Sequence, residues 1–296
     1  MTLAAMVENL VAAARASLNV VARRSSKCIY SATFGSFSVP SAPDMRLREE
    51  FDFVLFTDNP EESPEGWHVV RVDTCGVSAR LANRMLKWFG PRIFEHYDWV
   101  VYVDSNIELE AGLEGQLRLA QDGFIAVPRH PFRRSVFEEV CECYASNRIR
   151  LSDAFTIIGS YRKSYDFFCD GLTENNLVVF NVMNCSSPAI AALHELAAAL
   201  IRGPQRDQLH FLPIFKEHGI EVVRLPESAR TGSWGRYSEH RISAAPPVTS
   251  MAGAARRWAF SARRMARLCF WKPMLGAFLA LTQGSSGNGS RAEARR

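Results

Sequence analysis

One apolar segment that ends abruptly in polar residues constrains the fold of this chain more than any other feature. Positions 99–103 read Trp-Val-Val-Tyr-Val, and Asp104, Ser105 and Asn106 follow directly. A strand that is apolar at every position is covered on both faces, which is typical of a parallel sheet flanked by helices. The segment therefore predicts an inner strand of an α/β sheet with a polar loop at its carboxyl end.

Further apolar segments alternate with helical patterns along most of the chain. Alternation of this kind predicts a mostly parallel central sheet flanked by helices. The predicted strands cover residues 27–34, 51–57, 67–72, 99–103, 124–127, 177–180 and 221–225, and the predicted helices cover 3–21, 77–89, 113–120, 137–150, 189–202 and 205–216.

The C-terminal part differs in composition from the rest. The whole chain has a formal charge of +4, and the segment from Met251 onward, with nine basic residues and one acid, has +8, which leaves −4 for the remainder. A basic helix with aromatic residues such as Phe270 favours binding to an anionic membrane surface, whereas it also fits a helix packed on the body with a solvated basic face. The predicted organisation is an amphipathic N-terminal helix (1–26), one α/β domain (27–243), a basic amphipathic segment (244–283) and a disordered tail (284–296).

Composition and charge indicate the cellular compartment and the class of binding partner to expect for this chain. Hydrophobic residues make up 47% and charged residues 22% of the 296 residues, as in ordinary soluble domains. A net acidic body argues against nucleic-acid binding. Seven cysteines without a CxxC pair predict free thiols in a reducing compartment. With no secretion signal and no membrane-spanning segment in the pattern, we expect a cytoplasmic protein, including the inner face of the membrane.

Polar or small residues follow each of three predicted strands. Thr33, Phe34 and Gly35 close the first strand, Asp58 follows the second, and Asp104 follows the fourth. Because the carboxyl ends of parallel strands meet at one edge of a sheet, these loops are expected to form one pocket. A base or ribose would lie against the first two loops, and a diphosphate would lie near Asp104.

The Asp104-Ser105-Asn106 loop carries the predicted metal site. Mg²⁺ prefers oxygen ligands and keeps open positions for substrate phosphates, and Asp104 with Asn106 can supply such ligands. The alternative is a plain polar turn, since all three residue types are ordinary turn formers.

A basic helix face and one histidine are further candidates for donor binding. Arg80, Arg84 and Lys87 are spaced by four and three residues, which places them on one helix face. Cations there would neutralise charge that develops on a leaving diphosphate. His130 follows the strand at 124–127 and could contact a sugar or phosphate. The alternatives are a solvated helix face and a structural or exposed histidine.

Two acidic residues are the best candidates for a general base or a ligand of a sugar hydroxyl, namely Asp207 and Glu174. The alternative for Asp207 is an acidic residue at the amino end of a helix, where it would only interact with the helix dipole. The chain lacks the sequence motifs of several enzyme classes. It has no GxGxxG after the first strand (Rossmann dehydrogenases), no GxxxxGK[ST] (P-loop NTPases), no GxSxG (serine hydrolases) and no HExxH (metalloproteases).

Several short segments, taken in order, resemble a known family. They are residues 30–35 (Tyr-Ser-Ala-Thr-Phe-Gly), 56–58, 84–87, 102–106, 130–133 with Glu138, and 206–209. Together they resemble a hexosyltransferase family first catalogued as a domain of unknown function. Its plant members act in cell-wall and mucilage polysaccharide synthesis, and its bacterial members lie in surface-polysaccharide loci. The likeness covers residues 27–234.

The resemblance implies a GT-A-like glycosyltransferase fold with a nucleotide-sugar donor and Mn²⁺ or Mg²⁺ at a motif usually written DxD. Asn106 stands where that motif has its second aspartate, and an amide oxygen can bind a cation but brings no charge. The implied reaction moves a hexose to a saccharide or lipid-linked acceptor in surface-polysaccharide synthesis. The matched positions are Asp104 and Asn106 (metal and diphosphate), Asp58 (nucleotide loop), Arg84 and Lys87 (basic helix) and Asp207 (acceptor side).

Two other functions compete with this interpretation. A non-catalytic scaffold at a membrane surface, built on a degenerate fold of the same type, is favoured by Asn106. A nucleotidyltransferase would normally carry a Gly- and Lys-rich phosphate loop after the first strand, and residues 32–35 (Ala-Thr-Phe-Gly) are not such a loop.

Overall fold

A seven-stranded sheet lies at the centre of the computed structural model of this chain, which describes residues 2–18, 23–35, 39–59, 61–74, 76–238 and 251–284. Strands β5 and β9 form a separate two-stranded sheet, and the other seven belong to the central one. In chain order the strands are β1 (Lys27–Thr33), β2 (Asp52–Thr57), β3 (His68–Arg71), β4 (Trp99–Val103), β5 (Ile107–Leu109), β6 (Ile125–Pro128), β7 (Leu177–Asn181), β8 (Val222–Leu225) and β9 (Gly235–Tyr237).

Helices flank the central sheet, and two short 3-10 turns occur at Val182–Asn184 and Asp207–Leu209. The helices are α1 (Leu3–Leu18), α2 (Met45–Glu50), α3 (Ala79–Trp88), α4 (Gly90–Ile93), α5 (Leu113–Leu119), α6 (Val136–Ala145), α7 (Leu151–Tyr161), α8 (Ser187–Arg202), α9 (Phe211–Glu217) and α10 (Met251–Gly284).

The strand order β3-β2-β1-β4-β7-β6-β8 contains one reversed strand. Strand β7 runs antiparallel to both β4 and β6, and the remaining neighbours are parallel. The amino end of β7 therefore lies at the edge where the parallel strands have their carboxyl ends. In the resulting register Val103 pairs with Leu177, and the Asp104 N–H donates to the Asn176 carbonyl over 2.9 Å.

The core covers both faces of the sheet, as the apolar run at 99–103 predicts. Along β4 the side chains alternate, so that Tyr102 belongs to a large cluster beneath α1, α3, α6 and α8, and Val101 belongs to a smaller cluster beneath α5. Both residues are fully buried. Helix α1 places Leu10 and Ala14 in the larger cluster, so its apolar face is part of the main core.

The predicted α/β class with a mostly parallel sheet is confirmed, and the seven predicted strands all occur. Five helices and strands were not predicted, namely α2, α4, α7, β5 and β9. They are short or lack a clear apolar period, so the chain pattern alone does not distinguish them from loops.

Three predicted helix boundaries were wrong. The helix predicted over 137–150 ends at Ala145, because Asn147 adopts a positive φ of 58° and the Arg148 N–H turns back to the Cys143 carbonyl. Gly90 and Pro91, predicted as a stop, begin α4, since proline is well tolerated in the first turn of a helix. The helix predicted over 205–216 is a 3-10 turn followed by α9.

The basic segment forms one long helix, α10, which packs on α6 and α7. No helix among the described residues is both long enough and apolar enough to cross a bilayer. The six cysteines in the described part of the chain are unpaired. The predicted linker at 244–247, the end of the first helix at 19–21 and the tail after Gly284 lie outside the described residues, and the domain boundaries stay predictions.

The close approach of α4 to β1 gives a test of the packing. The buried Tyr30 hydroxyl donates to the Lys87 carbonyl over 2.6 Å, and a Cβ on Gly90 would overlap that hydroxyl. We expect Gly90→Ala to lower the free energy of unfolding by about 2 kcal/mol through overpacking, measured by urea denaturation. Gly159→Ala is the matched control, because nothing lies within 4 Å of its added Cβ in α7. Equal stability of the two variants would contradict this packing.

Candidate functional site

Two adjoining cavities open at the carboxyl edge of the sheet, beside the loop that follows β4. The larger cavity has a volume of about 640 Å³ and the smaller cavity about 310 Å³. The residues that line both define a junction of three basic side chains and one acidic side chain, Arg84, Arg148, Arg206 and Asp104.

The larger cavity lies between the end of β1, the end of β4 and helix α3. The Ser78 hydroxyl caps the amino end of α3, and the helix then presents Arg80, Asn83 and Arg84 to the cavity. The Asn83 amide donates to the Ala32 carbonyl over 2.6 Å and to the Tyr102 hydroxyl over 3.1 Å. These bonds fix α3 against β1 and β4, so the wall of the larger cavity is preformed.

A buried group of charges forms the floor of the smaller cavity. The Lys87 side chain is 1% exposed, and its Nζ lies 3.2 Å from Asp207 Oδ2 and 3.9 Å from Asp104 Oδ1. It also donates to the Asn175 carbonyl. The Arg84 Nε lies 3.5 Å from Asp207 Oδ1. Lys87 therefore joins α3 to the segments that follow β4 and α8 and to the segment that precedes β7.

Asp207 is held as a charged carboxylate by its neighbours. Burial by itself would raise the pKa of Asp207, but Arg84, Lys87 and Arg206 outweigh it and lower that pKa well below its usual range. A carboxylate with so low a pKa is a weak base. The geometry therefore favours a role for Asp207 in positioning the two cations, and its predicted role as a base remains a prediction.

Glu174, the second predicted catalytic residue, has a different environment. Its Oε1 lies 2.5 Å from the Arg230 Nε, whereas its Oε2 is buried and has no hydrogen-bond partner among the residues that the structure describes. The Glu174 N–H donates to the Pro128 carbonyl, which anchors the residue at the end of β6. Reversal of β7 brings Glu174 to this edge, where it lines the smaller cavity.

The loop after β4 offers two oxygen ligands to a cation. The Asp104 side chain is 27% exposed, and its Oδ1 accepts from the Tyr102 hydroxyl over 2.9 Å. The Asn106 Nδ2 donates to the Ser238 carbonyl over 3.1 Å, which leaves its buried Oδ1 without a partner. No cluster of three or more His, Cys, Asp or Glu side chains suited to a metal occurs among the described residues. Two protein ligands fit Mg²⁺, which is commonly completed by substrate phosphates.

His130 lines the smaller cavity with both ring nitrogens already engaged, and its Nε2 lies 2.7 Å from the Arg133 Nη2. Its Nδ1 accepts from the backbone N–H groups of Phe132 and Arg133 over 3.1 and 2.9 Å. Burial, followed by the charge of Arg133, lowers the pKa of His130 to about 4. The ring is therefore neutral near pH 7, and its Nδ1 is not free for a ligand.

Of the residues predicted from the sequence, nine line the two cavities and four do not. The Asp58 carboxylate instead accepts from the Gly35 N–H over 2.9 Å, and the Thr33 hydroxyl donates to Glu62 over 3.0 Å. Phe34 is fully buried in the core. The nine are Arg80 and Ser105 in the larger cavity, Arg84 and Asp104 in both, and Lys87, Asn106, His130, Glu174 and Asp207 in the smaller one.

Sequence reasoning missed four arginines that the fold brings to the cavities. Arg148 lies in the turn after α6 and Arg230 lies in a loop, where single arginines give no signal in one sequence. Arg133 belongs to the 130–133 segment of the family resemblance, which could have marked it. Arg206 directly precedes Asp207, so its place beside a predicted residue could have marked it. These residues surround the junction and the smaller cavity with positive charge.

No model of a known protein family matches this chain, and no curated protein matches it. Similar solved structures include WbbM, described as a bifunctional glycosyltransferase, at 15% identity and a TM-score of 0.46. Mouse xyloside xylosyltransferase 1 has 9% identity and a TM-score of 0.40. The two matches cover 71% and 68% of this chain, and they span 40% of WbbM and 85% of the xylosyltransferase. Membership of the hexosyltransferase family stays a prediction.

The buried pair of Asp207 and Lys87 predicts a pH-dependent stability. Asp207→Asn removes the carboxylate that pairs with two buried cations. We therefore expect the free energy of unfolding at pH 7 to fall by about 3 kcal/mol. Because the folded pKa of Asp207 lies below its unfolded value of about 3.9, this stabilisation is complete above that value and is lost as the pH falls below it.

Urea denaturation of both proteins between pH 7 and pH 3 measures this effect. The difference in unfolding free energy should be constant down to about pH 5 and should shrink below about pH 4. Asp122→Asn is the control, since Asp122 is an exposed carboxylate that precedes β6, at the edge of the sheet away from the buried charges. A difference between wild type and Asp207→Asn that does not change with pH would contradict the pairing.

Proposed function

We propose that this chain is a glycosyltransferase that moves a hexose from a nucleotide-sugar donor to a saccharide or lipid-linked acceptor in surface-polysaccharide synthesis. The observation that carries the proposal is the junction of Arg84, Arg148, Arg206 and Asp104 between two cavities. A nucleotide sugar has a nucleoside at one end, a sugar at the other and its negative charge between them. A basic junction between two polar cavities suits that distribution.

In this proposal the nucleoside occupies the larger cavity and the hexose the smaller one. The larger cavity has about twice the volume of the smaller one and is lined by Asn83 and Ser105, which can bond a ribose or base. The smaller cavity is lined by Asn176, whose buried amide nitrogen and oxygen have no hydrogen-bond partner among the described residues and can bond sugar hydroxyls. The diphosphate then lies at the junction, next to the arginines.

The chemistry needs stabilisation of the leaving group and a proton acceptor. The bond between the anomeric carbon and the diphosphate oxygen breaks, and the acceptor hydroxyl oxygen forms a new bond to that carbon. Arg84 and Arg206 neutralise the charge that develops on the leaving diphosphate. The free Oε2 of Glu174 accepts the proton of the acceptor hydroxyl, and Asp207 holds Lys87 and Arg84 in place.

Asp104 and Asn106 would hold Mg²⁺ or Mn²⁺ on the donor diphosphate. When bound, the cation would add Lewis-acid stabilisation to that of the arginines. The partnerless Oδ1 of Asn106 supports this assignment, because a buried amide oxygen is rarely left without a partner.

The site predicts the behaviour of Asp104→Ala in a donor screen. We expect release of nucleoside diphosphate from the preferred UDP-, GDP-, ADP- or dTDP-sugar to fall by about a hundredfold or more, since the variant loses a group next to the leaving diphosphate. The exposed Asp122 precedes β6 at the opposite edge of the sheet, so Asp122→Ala is the control.

The same assay separates the outcomes. EDTA should lower wild-type release, and Mg²⁺ or Mn²⁺ should restore it. Full activity in Asp104→Ala would contradict the site. Binding of a nucleotide sugar by calorimetry without any transfer would instead favour the scaffold function.

We also propose that α10 brings the site to an anionic membrane surface that carries the acceptor. One side of α10 is fixed to the body, where Arg264 makes two bonds of 2.8 and 2.7 Å to Glu142 and Leu275 is buried. The other side exposes Phe270, which is 68% exposed, and the exposed Arg263 lies two turns earlier on the same face. Exposed aromatic and basic residues on one helix suit the interface of an anionic bilayer.

Helix α6 links α10 to the smaller cavity. Its Glu142 pairs with Arg264 of α10, and its Glu139 pairs with Arg133 and Arg206 of the cavity. Helices α6 and α10 are each about 10 Å across, so the proposed membrane surface and the cavity are separated by on the order of two helix diameters.

Phe270→Glu tests the membrane surface without removing α10. We expect cosedimentation with phosphatidylglycerol-containing vesicles to fall severalfold, because a carboxylate replaces an apolar anchor near anionic lipid. Met183→Glu, at an equally exposed apolar residue beyond the opposite end of β7, is the control and should bind as wild type. Unchanged binding of Phe270→Glu, or equal loss in both variants, would contradict the proposal.

A further inference from the structure

A buried glutamate lies behind the wall of the smaller cavity without lining it. Glu139 on α6 is 0% exposed, and its carboxylate contacts two arginines that do line the cavity. Its Oε2 lies 2.6 Å from the Arg133 Nε, and its Oε1 lies 3.1 Å from the Arg206 Nη2. The Cys143 thiol, one turn further along α6, donates to the same Oε1 over 3.2 Å.

The two arginines come from separate parts of the chain. Arg133 belongs to the loop between β6 and α6, and Arg206 belongs to the loop between α8 and the 3-10 turn at Asp207–Leu209. Two guanidinium groups on neighbouring loops repel each other unless an anion lies between them. Glu139 supplies that anion from the protein side, because α6 is rigid and carries the carboxylate at a fixed position.

Arg206 has a second fixed contact that sets its direction. Its Nη2 also donates to the Gln208 Oε1 over 3.1 Å, and the Gln208 Nε2 donates to the Thr173 carbonyl over 3.0 Å. Glu139 and Gln208 thus hold the guanidinium from two sides. Held in this way, Arg206 stays at the junction of the two cavities, where the proposed diphosphate lies.

We propose that Glu139 is a positioning residue, which pre-orients Arg206 and Arg133 for an anionic diphosphate without touching the ligand. This inference rests on the proposed function, since it concerns the same junction. The orientation lowers the cost of binding because the arginine side chains do not have to be ordered when the ligand arrives.

Matched glutamates on α6 allow a direct test. Glu139 and Glu142 each pair with arginine and lie on the same helix, but Glu142 pairs with Arg264 of α10, away from the cavities. We expect Glu139→Gln to weaken calorimetric binding of UDP or GDP, whichever wild type binds, by about tenfold or more, as for loss of a charge-assisted contact. Glu142→Gln should bind it as wild type does.

A double-mutant cycle separates positioning from a general structural effect. In an Arg206→Met background, Glu139→Gln should lower the affinity for the nucleotide much less than it does in wild type, because the arginine that Glu139 orients at the junction is absent. A purely structural role would give the same loss in both backgrounds. Thermal denaturation of each variant shows that the affinities refer to folded protein.

The outcomes are distinguishable from failure of the proposed function. Wild-type affinity in folded Glu139→Gln, or equal losses in both backgrounds, would overturn the positioning role while leaving the donor site intact. Absence of nucleotide and inorganic diphosphate binding in wild type would overturn the donor site and this role with it. If Glu139→Gln does not fold, binding of the same nucleotide by Glu139→Asp tests the role instead. This variant keeps the charge on a shorter side chain, so it should bind with an affinity between those of wild type and a variant without the charge. Wild-type affinity in Glu139→Asp would overturn the positioning role.

Discussion

The buried ammonium group of Lys87 is the interaction on which the rest of the site depends. It contacts Asp207, Asp104 and the Asn175 carbonyl, and so it joins four segments that are distant in the sequence. A buried cation without partners would be far too costly, so each of these segments must reach its place for the charge to be compensated. The same requirement explains why Asp207 is tightly paired and why it is better suited to holding cations than to accepting a proton.

Charge is arranged around the cavities in two layers. Groups that line the cavities are mainly basic, and two buried carboxylates compensate part of that charge: Asp207 in the floor of the smaller cavity and Glu139 behind its wall. Arg148, at the junction, is exposed, and no buried carboxylate among the described residues pairs with it. This arrangement keeps the basic side chains ordered and still leaves positive charge for an anionic ligand, which is the property that the proposed function needs.

Much of the fold could be predicted from the sequence, and less of the site. The apolar run at 99–103 and the other strands carry their own signal, because burial on both faces requires apolar residues at every position. Asp104 and Lys87 were found because a strand end and a helix face can be recognised locally. Arg148 and Arg230 were missed, since an arginine in a loop has the same local pattern whether or not it reaches a cavity. Glu139 looked like an ordinary polar residue of an amphipathic helix.

By itself the sequence determined the α/β class, the order of the strands along the chain and the polar loop after β4, since these follow from local patterns of apolar and polar residues. Only the tertiary structure decided which loops meet. The reversal of β7 brought Glu174 to the edge that holds Asp104, and hydrogen bonds within the loops directed Asp58 toward Gly35 and away from the cavities. Strand direction and side-chain pairing depend on contacts between residues far apart in the chain, which no local pattern records.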